Sequence, residues 1–120
     1  MPPTIATSLP LLPASLARLA DHPDVLIALV ARGVALDPHP DESRDRFENR
    51  MGTSLMALYR DTRCESAFEA LYAFAEKSVL EWIRGLLRRG ANYADARELC
   101  QDTFVNVYRY PGGFRDEHAG

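Results

Sequence analysis

The chain has 120 residues, 47% of them hydrophobic, and a formal net charge of -3, which suits one small globular domain with an appended arm. Charge is spread evenly, with 6 basic against 7 acidic residues over 1–60 and 8 against 10 over 61–120, so neither half is a basic tail. That balance argues against unaided, tight binding to nucleic acid, which needs clustered Lys and Arg to release counterions; any DNA role is shared with a partner.

The N-terminal stretch Met1 to Ala20 has no basic residue ahead of its apolar part and is broken by Pro2, Pro3, Pro10 and Pro13, a poor fit to a signal peptide. The longest apolar run, Val25 to Ala31, falls far short of the roughly 20 residues of a membrane span. No membrane association is expected, and a cytoplasmic location is the default. Pro23 suits the first position of a short helix with Val25, Leu26, Leu29 and Val30 on its apolar face, and Gly33 can end it. Asp37-Pro38-His39-Pro40-Asp41 reads as a linker, with a boundary near Asp37 to Ser43. It divides an N-terminal extension, residues 1–42, from a helical domain, residues 43–120. Beyond it Phe47, Met51, Leu55, Leu58 and Tyr59 recur at three- and four-residue steps, the mark of an amphipathic helix.

Ser66-Ala67-Phe68-Glu69 has the form of a capping box opening a helix of about 22 residues, roughly 33 Å long. Its apolar face is read as Phe68, Leu71, Tyr72, Ala75, Val79, Trp82, Ile83 and Leu86, with Arg88 and Arg89 offsetting the dipole before Gly90. A second start follows at Asn92. Its stripe runs Ala96, Leu99, Cys100, Thr103, Phe104, Val107 and Tyr108, and Pro111-Gly112-Gly113 ends it. The short link Gly90-Ala91-Asn92 predicts an antiparallel hairpin. The expected fold is therefore all-α, a long-helix hairpin with additional short N-terminal helices.

The hairpin text is distinctive. Ala67-Phe68-Glu69-Ala70-Leu71-Tyr72, then Ala94-Asp95-Ala96-Arg97-Glu98-Leu99-Cys100-Gln101-Asp102-Thr103-Phe104-Val105-Asn106-Val107-Tyr108-Arg109, then Phe114-Arg115, resembles the first half of region two of bacterial ECF-type RNA polymerase sigma factors. The likeness covers about residues 53–120. It implies that the second helix grips the clamp helices of the largest subunit of core RNA polymerase, with Asp95, Glu98, Gln101, Asp102 and Asn106 as polar contacts. Positions 95, 98, 102 and 106 lie three or four apart and share one helix face. Such a face suits charge-assisted hydrogen bonds to Arg or Lys on a partner helix. The chain departs from the family text with Arg97 for an acidic residue, Glu98 for Asp and Asp102 for Glu; the last two keep charge but change reach.

The resemblance further implies that the promoter-melting helix and the helix-turn-helix domain would fall beyond Gly120, so promoter DNA is a partner only of a complete factor. The expected function is promoter-directed transcription initiation in that complete form. The alternatives are a truncated module that occupies the clamp without supporting initiation, and a helical domain whose N-terminal third binds a regulator such as an anti-sigma factor. Codons for those DNA-reading parts directly downstream would favour the first, a stop codon the second.

Bland readings compete at each point. Acidic helix faces are mostly just solvated. Phe68, Tyr72, Trp82, Phe104 and Tyr108 are read as core rather than base-stacking residues, and Arg84, Arg88 and Arg89 as solubilising, helix-capping charges. Cys64 and Cys100 stand apart, without a CxxC pair or a nearby His, and read as packers rather than disulfide or zinc residues. His22, His39 and His118 are scattered. With no phosphate loop, no metal spacing and no nucleophile beside a base, neither a cofactor nor enzymatic chemistry is expected.

Overall fold

The computed structural model describes residues 14–86 and 93–113. These form a 3-10 helix, Ala14–Asp21, and four α-helices: α1 (Pro23–Ala31), α2 (Arg44–Thr62), α3 (Glu65–Leu86) and α4 (Tyr93–Arg109). A 3-10 turn, Pro111–Gly113, follows α4, and no strand occurs among the described residues. The chain is all-α, as its periodicity predicts. The expected link Gly90-Ala91-Asn92, the caps at Asn92 and at Arg88 and Arg89, Phe114-Arg115 and His118 lie outside the described residues.

Local chemistry sets the helix ends. Pro23 occupies the first turn of α1, where its missing N–H costs nothing. At the other end Gly33 takes φ 86°, and its N–H bonds Val30 O at 2.9 Å while Val34 N–H bonds Leu29 O at 3.0 Å. Those two bonds are the Schellman closure that a left-handed glycine permits. Ser43 caps α2, its hydroxyl accepting from Arg46 N–H at 3.2 Å. α2 ends on Arg63, the one described non-glycine residue with positive φ, at 53°. Arg63 is held there by its N–H on Tyr59 O at 2.7 Å and its guanidinium 5.8 Å from the Tyr59 ring centre.

The elbow corrects one expectation. Helix α3 begins at Glu65, so Ser66 is already inside the helix and the Ser66–Glu69 capping box does not define its start. Thr62 governs the turn instead: its hydroxyl donates to Leu58 O at 2.8 Å and accepts from Cys64 N–H at 3.2 Å. With the left-handed Arg63, this reverses the chain in two residues and starts α3 two positions before the Ala67 that a Ser66 cap implies.

Helix α3 is the spine. One side, through Ala67, Ala70 and Leu71, packs into a core with Leu16 and Leu19 of the 3-10 helix, Val25, Leu26 and Leu29 of α1, and Phe47, Met51, Leu55, Leu58 and Tyr59 of α2. The face read over Val25–Val30 thus packs through three of its four residues; Val30 is exposed. The other side of α3 meets α4. Going up α3, Glu65 meets Tyr108, Phe68 meets Phe104 and Tyr108, Tyr72 meets Phe104, and Glu76 meets Cys100. Contacts climb one helix as they descend the other, so α3 and α4 run antiparallel.

The expected stripes need further correction. Trp82 is 66% exposed, Leu86 65% and Leu99 44%, although all three fall in phase with buried neighbours. Thr103 is exposed as well. Tyr108 is 40% exposed, with its ring edge-on to Phe68 at 5.0 Å. Between Trp82 and Leu86, Ile83 is buried against α4, so the last turns of α3 are covered on one side and exposed on the other among the described residues.

Candidate functional site

Helix α4 is positioned from three sides. Ala96, Cys100 and Phe104 are buried against Ile83 and its neighbours on α3, and Phe104 lies 4.6 Å from the Tyr72 ring. At its C-terminal end the Tyr59 hydroxyl donates to Tyr108 O at 2.7 Å, and the Arg63 guanidinium donates to the same oxygen at 3.4 Å. The Tyr108 hydroxyl donates to Glu65 at 2.9 Å. The first two bonds occupy a carbonyl that the end of a helix leaves without an intrahelical partner, and all three tie α4 to the α2–α3 elbow.

With the apolar side turned inward, the other side faces solvent. Asp95, Glu98, Gln101, Asp102 and Asn106 are all exposed. At about 100° per residue, Asp95, Glu98, Asp102 and Asn106 fall within an arc of about 80° opposite the buried stripe. Gln101 stands about 100° round from Asp102, on the flank that also carries Arg97 and Tyr108. The structure therefore groups four of the five sequence-selected residues and sets Gln101 beside them. Asp95 lies in the first turn, where a carboxylate is favoured by the positive end of the helix dipole.

The titratable groups beneath this face are structural. Burial, then the neighbouring Glu76 carboxylate, pushes the Cys100 thiol above its ordinary range, so it stays a thiol and packs. Burial and the hydrogen bond to Glu76 raise Tyr72. Tyr108 is raised chiefly by its hydrogen bond to Glu65. No group of three or more His, Cys, Asp or Glu residues that could hold a metal ion occurs among the described residues, and no described helix is long and apolar enough to cross a membrane. Cys64 is exposed, unlike the packer it was expected to be.

Two features escape sequence reading. One is Arg50, whose guanidinium donates to Glu42 at 2.8 and 2.9 Å, to Ala35 O at 2.8 Å and to Asp37 O at 3.1 Å. It pins the Asp37–Asp41 linker to α2 and holds Glu42 down to about 2, mainly through that hydrogen bond. The other is a groove of about 490 Å³ between α2, α3 and α4, lined by residues that include Gly52, Met56, Phe74, Ala75 and Thr103. Its only advance sign is Gly52, which breaks an otherwise helix-favouring run. No family model, no curated protein and no solved structure matches the chain.

Proposed function

We propose that this chain is the polymerase-docking part of an ECF-type sigma factor, with the outward face of α4 engaging the clamp helices of core RNA polymerase. The observation that carries the reading is the ordered string Ala94 to Arg109, whose Asp95, Glu98, Asp102 and Asn106 stand together on the exposed side of one anchored helix. Carboxylates and an amide on one face of a formed helix suit charge-assisted hydrogen bonds to Arg and Lys on a partner. In the complete factor this docking would bring the polymerase to promoters.

Equilibrium binding of the purified chain to core RNA polymerase tests the reading, with Glu98→Lys and Asp102→Lys as charge reversals. Each should weaken binding by about tenfold or more, since like charges placed across an interface cost several kcal/mol. Wild-type affinity in both variants would remove α4 from the interface.

A second reading has the chain occupy the clamp and compete with other sigma factors without itself supporting initiation. The charge favours it: 14 basic residues against 17 acidic give no excess for a DNA backbone. Promoter-directed transcription by core polymerase plus this chain separates the two, since a transcript requires the first.

A further inference from the structure

The α2–α3 elbow converges on one residue of α4. From the end of α2 the Tyr59 hydroxyl donates to Tyr108 O at 2.7 Å, and from the turn the Arg63 guanidinium donates to the same oxygen at 3.4 Å. From the first position of α3, Glu65 accepts from the Tyr108 hydroxyl at 2.9 Å. The Tyr108 ring rests on the same elements, 6.1 Å from the Tyr59 ring and 5.0 Å from that of Phe68, and those two rings stand 5.3 Å apart. Tyr59 is buried, so packing fixes the direction of its hydroxyl. Arg63 is aimed by its left-handed backbone and by the Tyr59 ring that it lies over.

Phe104 divides α4 in two. Ahead of it, Ala96 and Cys100 are buried against α3, which seats the stretch carrying Asp95, Glu98 and Asp102. Beyond it, Val107 is only partly buried, and the bonds at Tyr108 hold the end of the helix. Of the four residues grouped on the exposed face, Asn106 alone lies on that far side. It stands about 3 Å along the axis from Tyr108, whereas Asp95 stands about 20 Å away, at 1.5 Å per residue. Asn106 is also the one amide among the four. Carboxylates attract a cation from a range of directions, but a hydrogen bond weakens steeply as it bends, so an amide depends on where its backbone is placed.

We propose that Tyr59 and Arg63 are positioning residues for the docking face, holding the last turn of α4 so that the Asn106 amide is aligned with a partner that Asp95, Glu98 and Asp102 attract by charge. The inference rests on the clamp-docking reading and deepens it, because it assigns part of the affinity to residues outside the α4 face. Loss of both donors frees the turn beyond Phe104, while Ala96, Cys100 and Phe104 keep the rest of α4 seated.

A mutant cycle tests this, read as equilibrium binding of the full chain to core RNA polymerase, with every variant shown by circular dichroism and thermal melting to be folded at the assay temperature. Tyr59→Phe together with Arg63→Gly removes both donors, and glycine keeps the left-handed turn. This pair should weaken binding about tenfold, or about 1.4 kcal/mol, and Asn106→Ala alone should do the same. Added to Asn106→Ala, the pair should cost less than about twofold more, because the group it positions is gone; added to Asp95→Ala, far from the elbow, it should keep its full cost. A merely structural role would subtract the same amount from both backgrounds. Equal losses in the two backgrounds, or wild-type affinity in the folded pair variant, overturns the inference and leaves the clamp reading standing. A wild-type chain that does not bind polymerase overturns the clamp reading and this inference with it, a result seen before any substitution is made.

Discussion

The two sides of α3 make contacts of very different depth. Toward α1, α2 and the 3-10 helix, α3 joins a cluster of buried residues drawn from four elements, with Phe47, Met51, Leu55 and Tyr59 almost wholly enclosed. Toward α4, the buried residues among those described are Ile83, Ala96, Cys100 and Phe104, with Phe68, Tyr72, Ala75, Val79 and Leu80 partly so. Two of the three buried residues that α4 supplies are small. The helix carrying the candidate polymerase face is thus held by Phe104, by the half-exposed ring of Tyr108 against Phe68 and Tyr59, by Val107 at the edge of the larger cluster, and by the hydrogen bonds at its C-terminal end. Regions with few buried contacts open at lower free energy than the core they adjoin, so α4 should be the first helix to loosen.

The sharpest way to break that comparison is a matched pair of truncations. Leu55→Ala should cost about 2–5 kcal/mol and Phe104→Ala about 3–5 kcal/mol, but in different ways. Hydrogen exchange followed by mass spectrometry should show Leu55→Ala loosening every helix together, and Phe104→Ala exposing the amides of 93–109 while α2 stays protected. Uniform loss in both variants would mean one cooperative unit and no weak side.

Tyr59→Phe sharpens the comparison at the elbow. Losing the hydroxyl bond to Tyr108 O should cost about 1 kcal/mol, seen as faster exchange in the last turn of α4. Cost is limited because Arg63 still donates to that oxygen.

The strong side has a pH signature of its own. Glu42 falls from its ordinary 4.5 to about 2 because Arg50, and then His39 N–H, hydrogen-bond its carboxylate. A depressed carboxylate contributes stability that is fully present above its unfolded value and is lost as pH falls through its folded one. That contribution should therefore fade between pH 4.5 and about 2. Glu42→Gln should flatten this part of a denaturant-midpoint profile, and an unchanged slope would show that the Arg50 clasp is not formed in solution.

Smallest of all is Trp82→Ser. With the side chain 66% exposed, stability should move by no more than about 0.5 kcal/mol. A larger loss, by thermal melting, would place Trp82 in the folded core.

Much of this architecture is written in the spacing of apolar residues. Phe47, Met51, Leu55, Leu58 and Tyr59 were expected on one face and are all buried, and Pro23 and Gly33 bracket α1 as their backbone preferences require. Periodicity gives the phase of a helix but not how wide a face its neighbours cover, and Trp82, Leu86 and Leu99 lie in phase with the core and outside it. Arg63 in a left-handed conformation is not foreseeable from a residue type that rarely adopts it. That turn moved the start of α3 off the serine that spacing selected. Arg50 joins groups from 8 to 15 residues away, a link no local pattern encodes. For the candidate face, spacing alone places Asp95, Glu98, Asp102 and Asn106 together, whereas Gln101 came from the sigma-factor likeness and sits to one side.

The central claim, that the outward side of α4 docks on polymerase, is tested most directly by competition against another sigma factor for core RNA polymerase. Wild type is compared with a Gln101→Ala, Asp102→Ala double variant whose helicity by circular dichroism is unchanged. The account predicts that wild type displaces the competitor and that the double variant needs about tenfold more protein, or about 1.4 kcal/mol. A folded wild type that fails to compete, or a double variant that competes equally well, would contradict it.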